Sequence, residues 1–339
     1  MKSKVKVAIL DSGINLKHEL FRGRDIRGGM FEHTGDFRED DVYDTNGHGT
    51  ACASVILKEC REVELYIYKI LDNQLMTSLS VLEHALTSLL KSDIRIINLS
   101  LSIVNRAELN DLKKICEKLK KKGKIIVCAL GNGREKSYPA YFPNTIGVQG
   151  AILKRQEEYW FSEKKGIQGV IDSEPFLHAD LQQRYSFYGK SNSYATAKMT
   201  GCISNILFGS PNMQQSELHR VLAKKAQRRD WNKSDLLESK RFSIFGAEED
   251  VEPYLYKMIR KICSSYLNQP DFSLFEQTNM FDRKIGLTYN NAFDLINIIE
   301  SEIGIKINNY TDIARSDLYS IYRLTNLIQN YMNINFATS

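Results

Sequence analysis

Short apolar runs alternate with amphipathic stretches from Val5 to about Gln227. The runs Val5–Leu10, Glu64–Ile70, Ile94–Leu101, Lys124–Leu130 and Thr145–Gln149 read as strands. Several, such as Ile125–Val127, are apolar at consecutive positions, as strands are when both faces of a sheet are covered. Between them, Ser78–Lys91 and Leu109–Lys122 carry apolar residues at helical spacing. Strand–helix alternation predicts an α/β domain with a mostly parallel sheet flanked by helices. Sites in such sheets form at the carboxyl ends of the strands. Arg228 to Glu249 is polar and charged, with Trp231 and Phe242 as isolated anchors, and reads as a linker. Beyond it the strand pattern disappears, and Asp250 to Phe336 reads as helices and loops. The expected division is residues 1–227, a linker at 228–249, and a small helical bundle at 250–339.

The 339 residues carry a net charge of +5, a mild excess that gives no reason to expect nucleic acid. The basic run Lys118–Lys124 closes an amphipathic stretch just around Gly123, which is how a helix ends. No apolar run approaches membrane-spanning length, and no signal peptide precedes the first strand. The six cysteines, Cys52, Cys60, Cys116, Cys128, Cys202 and Cys263, suit neither a disulfide framework nor a zinc site. Reduced core thiols and a cytoplasmic protein without metal or cofactor are expected.

Three segments carry chemistry-bearing residues. Val7-Ala8-Ile9-Leu10-Asp11-Ser12-Gly13 places a carboxylate at the end of an apolar strand. Asn46-Gly47-His48-Gly49-Thr50-Ala51 sets a histidine between glycines at a helix start, where the backbone can approach closely. Ser191-Asn192-Ser193-Tyr194-Ala195-Thr196-Ala197 puts a serine ahead of small residues and another helix. Taken singly, Asp11 reads equally well as a strand-end cap, His48 as a loop histidine and Ser193 as part of a small-residue turn. Their order and the elements that bear them favour one joint reading.

Together these segments resemble the subtilisin family, the subtilases, over about residues 4 to 227. The chain order Asp, His, Ser is that family's order, and His18 and Leu20 fit the tail of its aspartate motif. Ile125-Ile126-Val127-Cys128-Ala129-Leu130-Gly131-Asn132 resembles the family strand ending in A-x-G-N. Ser137-Tyr138-Pro139-Ala140 resembles its Y-P-A segment, often associated with a cis proline. The resemblance implies a serine endopeptidase. Asp11, His48 and Ser193 would form its triad, and Asn132 would donate to the oxyanion. Ser100, Leu101 and Ser102, with Ala129, Leu130 and Gly131, would bind the substrate's backbone. Ser191-Asn192 replace the family's Gly-Thr, Ala197 stands at its proline position, and the stretch from Gly150 to Gly189 is compressed. No calcium loop of the family is recognised, and no inhibitory propeptide precedes Asp11. These features point to dedicated intracellular processing, for example leader removal from a precursor peptide. The alternative is a weak or inactive subtilase-like scaffold that binds a peptide and a partner.

The C-terminal region resembles an acyl carrier protein. Ser273-Leu274-Phe275-Glu276 looks like that family's S-L-F-E loop, and Ile303-Gly304-Ile305-Lys306-Ile307 its F-G-I-x-I. Val251–Leu267 would be the first helix and Ser316–Met332 the last, with positions 292, 295, 296, 299 and 303 on one face between them. An unrelated helical bundle with a shared pattern is the plainer reading. At the position of the serine that carries phosphopantetheine stands Tyr289, so the resemblance implies a carrier fold without its prosthetic arm. Such a module would dock a protein partner or the peptide substrate.

Overall fold

The computed structural model describes residues 3–32, 34–103, 109–132, 136–236 and 251–337. In chain order, the elements are β1 (Val5–Asp11), β2 (Ile26–Phe31), β3 (Phe37–Glu39), α1 (His48–Glu59), β4 (Val63–Lys69), α2 (Leu79–Ser88), β5 (Ile96–Leu99), α3 (Asn110–Lys121) and β6 (Ile125–Ala129). There follow β7 (Ile146–Ala151), β8 (Tyr159–Phe161), β9 (Gly169–Asp172), β10 (Phe176–Ala179), β11 (Tyr185–Tyr188), α4 (Asn192–Gly209) and α5 (Gln215–Lys225). The last are α6 (Pro253–Tyr266), α7 (Leu274–Gln277), α8 (Ala292–Ile303) and α9 (Ile321–Ala337). The chain forms two compact units. The first comprises residues 1–174, 179–183 and 189–239, and the second residues 175–178, 184–188 and 240–339.

In the first unit nine strands form one sheet in the order β3-β2-β4-β1-β5-β6-β7-β9-β8. The inner pairings are parallel, whereas β3 and β8 join their neighbours antiparallel at the edges. β1 is central and almost wholly buried, which explains its unbroken apolar sequence. On one face, Leu10, Ile97 and Ile126 pack with Leu82 and Leu86 of α2 and with Leu112, Cys116 and Leu119 of α3. α1 and α4 pack together, and α4 lies along β5, β6, β7 and β9. Gly201 makes that crossing close: a Cβ there would lie 2.5 Å from the Glu59 Cβ and 3.1 Å from the Ile56 carbonyl oxygen.

The basic run at 118–124 is the end of α3. Lys124 turns inward, and its ammonium donates to the Ile94 carbonyl at 2.7 Å. None of the six cysteines forms a disulfide, and five are buried, Cys202 being partly exposed. Trp231, expected in the linker, packs 6.0 Å from Trp160. Phe242 and the rest of that linker from residue 237 lie outside the described residues.

The second unit is built on α6, α8 and α9, with Leu255, Ile259, Cys263, Leu295, Ile296, Ile299, Leu324 and Ile328 in its core. It also contains β-structure that periodicity after residue 250 does not suggest. The pair β10–β11 places Leu177, Tyr185 and Phe187 in that same core. Tyr185 packs against Phe293 and Tyr310, Phe187 against Phe281 and Tyr289. The Leu177 N–H donates to the Ile313 carbonyl at 3.0 Å. The last helix starts later than its apolar pattern, because a 3-10 turn at Arg315–Leu318 precedes it.

The tight α1–α4 crossing has a measurable consequence. Gly201→Ala should lower the unfolding free energy by about 1–3 kcal/mol, the usual cost of an added methyl in a packed core. Thermal or urea denaturation reads this directly, and an unchanged midpoint would contradict the packing described.

Candidate active site

Asp11 is the last residue of β1 and is fully buried. His48 opens α1, after Gly47 at φ 97°, a left-handed conformation that suits glycine. The His48 Nδ1 lies 2.7 Å from the Asp11 Oδ1. The Asp11 carboxylate is fixed in turn by the Ser12 N–H, which donates to the same oxygen at 2.8 Å. Two glycines bring the segments this close. A Cβ on Gly49 would lie 2.2 Å from the Gly13 carbonyl oxygen, and one on Gly13 2.6 Å from the Val42 carbonyl oxygen.

Sequence reasoning overlooked the residue that shapes the histidine loop, Asp44. Its buried carboxylate accepts from the N–H groups of Asn46, Gly47 and Thr50 and from the Thr50 hydroxyl, at 2.6–2.9 Å. Burial favours the neutral acid, but the hydrogen bonds from Gly47, Thr50 and Asn46 outweigh it and hold the pKa below the usual carboxylate value. Thr50 Oγ1 accepts the Asn15 N–H at 3.0 Å, and Ser12 Oγ accepts the Gly49 N–H at 3.0 Å. An Asp two residues before Asn-Gly at a helix start was the available signal.

Ser193 lies in the first turn of α4, whose N-cap Ser191 accepts the Tyr194 N–H at 3.1 Å. Backbone N–H groups in a first turn have no acceptor within the helix, so this end favours negative charge. The Ser193 hydroxyl donates to the Ser100 carbonyl at 3.0 Å, and the Ser100 hydroxyl donates to the Ser193 carbonyl at 3.2 Å. Asn98 aims Ser100 through a 3.0 Å bond from its amide, and Thr200 on α4 donates to the Asn98 Oδ1 at 2.9 Å. The Cys52 thiol links the two halves: it donates to Ser100 Oγ at 3.5 Å and sits 4.0 Å from His48 Nδ1.

The substituted Asn192 is a brace. Its amide nitrogen donates to the Leu130 carbonyl at 2.8 Å, and its oxygen accepts the Gly150 N–H at 2.9 Å. One side chain therefore ties α4 to the ends of β6 and β7. The Gly131 N–H donates to Ser137 Oγ at 2.7 Å, just before the cis Tyr138–Pro139 bond. Ala129 ends β6, and Asn132 follows three residues later with its side chain exposed. Leu101 and Ser102 are half-buried beyond β5, while Ser100 is buried and engaged internally. Behind α4, the buried Lys198 ammonium donates to the Gln156 carbonyl at 2.7 Å and the Asp172 carbonyl at 3.2 Å.

Among the described residues, one set of metal-ligating types gathers: ligand atoms of Asp11, His48 and Cys52 lie within 4.8 Å of one another. Two of these atoms form the Asp11–His48 contact itself. Burial disfavours a charged imidazole, but the Asp11 carboxylate and the Cys52 sulfur outweigh it and raise the His48 pKa well above 6.5. The group therefore stabilises the fold fully below its unfolded pKa, and that contribution is lost as pH rises through the folded one.

A profile of the Subtilase family of peptidases, S8, matches residues 2–247, and the chain belongs to that family of subtilisin-like serine proteases. It is 27% identical over 225 residues to the Major intracellular serine protease of Bacillus subtilis (strain 168), covering 60% of this chain and 68% of that one. With Subtilisin E of the same organism the identity is 27% over 231 residues, covering 64% of this chain and 58% of that one. Similar solved structures include an S41 Psychrophilic Protease (TM-score 0.58, 18% identity, 66% of this chain and 83% of that one). Sphericase is alike at TM-score 0.57 and 20% identity, over 66% of this chain and 84% of that one.

Titration of the His48 ring by NMR should give a midpoint above 6.5, moved down in Asp11→Asn. A midpoint at or below 6.5 in the unaltered chain would overturn the electrostatic picture.

Proposed function

We propose that this chain is a serine endopeptidase in which Ser193 is the nucleophile, His48 the general base and Asp11 the group that orients the base and stabilises the imidazolium formed when it takes a proton. The observation that carries this reading is the 2.7 Å contact between His48 Nδ1 and Asp11 Oδ1. A serine hydroxyl bonded to the strand-end carbonyl at Ser100 lies in the same network. Contact at Nδ1 leaves Nε2 for the serine proton, the tautomer the reaction needs. Rotation of the Ser193 hydroxyl from the Ser100 carbonyl to His48 frees the oxygen to attack the scissile carbonyl. His48 takes the proton and returns it to the leaving amine. The Ser193 N–H and the Asn132 amide would donate to the oxyanion. Water then attacks the acyl group, with His48 again as base.

Leu130 and Gly131, fixed by Asn192 and Ser137, together with Leu101 and Ser102, would flank an extended substrate. The proposed role is processing of a precursor peptide inside the cell, for example leader removal. Six cysteines outside any disulfide suit a reducing compartment. For the C-terminal region we retain the reading of a carrier-like fold without its arm. Helix α6, a loop with Ser273–Glu276, helix α8, short turns and α9 follow the order of such a bundle. Tyr289 is half-buried among Phe187 and Phe281 beneath the Arg315 guanidinium. Its place in that packing suits a structural side chain and a protein-docking role.

A phosphonofluoridate probe should label the protein, and Ser193→Ala should abolish labelling. Failure to label the unaltered chain would sink the peptidase reading and favour the peptide-binding scaffold. Asn132→Ala should lower kcat about 10²–10³-fold, the usual cost of losing an oxyanion donor. Profiling with a peptide library should show a narrow preference, whereas indiscriminate cleavage would contradict dedicated processing.

A further inference from the structure

Helix α6 is apolar on two sides. Leu255, Ile259 and Cys263 are buried in the core of the second unit. Tyr254, Met258 and Ile262, offset by one position, form a second stripe at the same helical spacing. That stripe borders a groove of about 720 Å³ between α6 and α8. Met258 and Ile262, with Ile298 of α8, line the groove and are only half-buried. Tyr254 lines one end and is 73% exposed. Tyr266 lines the other, its hydroxyl donating to the Asn291 carbonyl at 3.1 Å.

The charges along this groove are sorted by side. Lys257 and Lys261, both exposed and one helical turn apart, line it on α6, and the exposed Glu302 lines it on α8. Among the described residues, none of these three has an ion-pair partner. Arg260, next to Lys261 in sequence, is engaged by contrast. Its guanidinium lies over the rings of Tyr256 and Phe272 and 3.8 Å from the Glu276 carboxylate. The two lysines thus add unneutralised positive charge beside apolar surface, where exposed carboxylates of a partner can meet them.

The form of the partner follows from the walls. Both are helices, so they present side chains and offer no strand edge. A segment seated between them must satisfy its own backbone N–H and C=O groups, which selects a helix. From Tyr254 to Tyr266 the groove runs about 18 Å, about three helical turns. Apolar side chains on one face of such a helix would reach Met258, Ile262 and Ile298. Carboxylates on one flank would meet Lys257 and Lys261, whereas Glu302 would repel them on the other. A flat anionic membrane fits less well, since Glu302 opposes it and the apolar surface is recessed. We propose that this groove docks an amphipathic helix of a protein partner, acidic along the flank over α6 and uncharged or basic along the flank over α8. This partner class rests on the docking role proposed for the C-terminal region, and gives that role a face and a chemistry. It does not depend on turnover at Ser193.

The test uses the full chain carrying Ser193→Ala, to prevent cleavage, and three fluorescein-labelled, Ala-rich helical peptides of about fourteen residues. The first has a Leu stripe and a Glu flank, the second the same stripe and a Lys flank, and the third the Glu residues with its Leu scattered. Anisotropy should show the first binding about tenfold more tightly than either control. Lys257→Glu combined with Lys261→Glu should reverse the preference between the acidic and basic flanks. Tyr254→Ala, at an exposed position where folding is not at stake, should weaken the first peptide about threefold. Equal binding of the three peptides, no binding, or a preference unmoved by these substitutions overturns the groove. A photoreactive leucine in the first peptide locates the contact. Crosslinks on α6 and α8 are expected. Crosslinks elsewhere in the second unit would overturn the groove and keep the docking role, whereas crosslinks confined to the first unit would overturn both. A dimer of the chain, or binding to phosphatidylserine vesicles, that Tyr254→Ala abolishes while the first peptide does not compete would give the groove to a second copy or a membrane, and overturn the helical partner.

Discussion

The site depends on the close approach of the first turn of α1 to the end of β1. Gly49 lies where no side chain fits, since a Cβ would stand 2.2 Å from the Gly13 carbonyl oxygen. Only at that separation can an imidazole on a helix meet a carboxylate on a buried strand. Bringing a charge into the interior is costly unless it is paired and hydrogen-bonded. The Ser12 N–H and the His48 ring supply partners to Asp11. Asp44 performs a related task one turn away, gathering the N–H groups of the histidine loop into one carboxylate.

Ser193 is placed from the other direction. Thr200 fixes Asn98, Asn98 fixes Ser100, and Ser100 exchanges hydrogen bonds with Ser193. Helix α4 is thus keyed to β5 by side chains and to β6 and β7 by Asn192. These braces are short and polar within an apolar interior, so each carries more geometric information than its energy suggests. Cys52 touches both halves.

Much of this was legible in the sequence for a physical reason. Strands covered on both faces must be apolar throughout, so β1, β5, β6 and β7 announce themselves. Asp11, His48 and Ser193 stand where strands end or helices begin, beside glycines or small residues. Edge strands were not legible. β3 is exposed throughout and β8 has three residues, so neither carries a pattern. Asp44 was missed because its role is to accept backbone N–H groups, which any loop can offer. Asn192 was visible only as a departure. Its function as a clamp depends on β6 and β7 lying side by side, a long-range fact. The β10–β11 pair escaped for a similar reason, since its apolar residues belong to a core built from helices that follow much later in the chain.

That strand pair carries a consequence in time. Leu177, Tyr185 and Phe187 emerge from the ribosome well before α6, α8 and α9, the helices whose core they share. Contacts between segments so far apart in sequence form late, because the intervening chain must be closed first. During synthesis these apolar strands therefore stay uncovered until the C-terminal helices have been made. The helices in turn cannot complete their core from their own residues. A chain interrupted before α8 would retain every segment that bears the Asp, His and Ser, yet it would expose the strand pair that precedes the serine. Its aggregation or capture by chaperones would reflect the order of synthesis rather than any fault in the peptidase sheet.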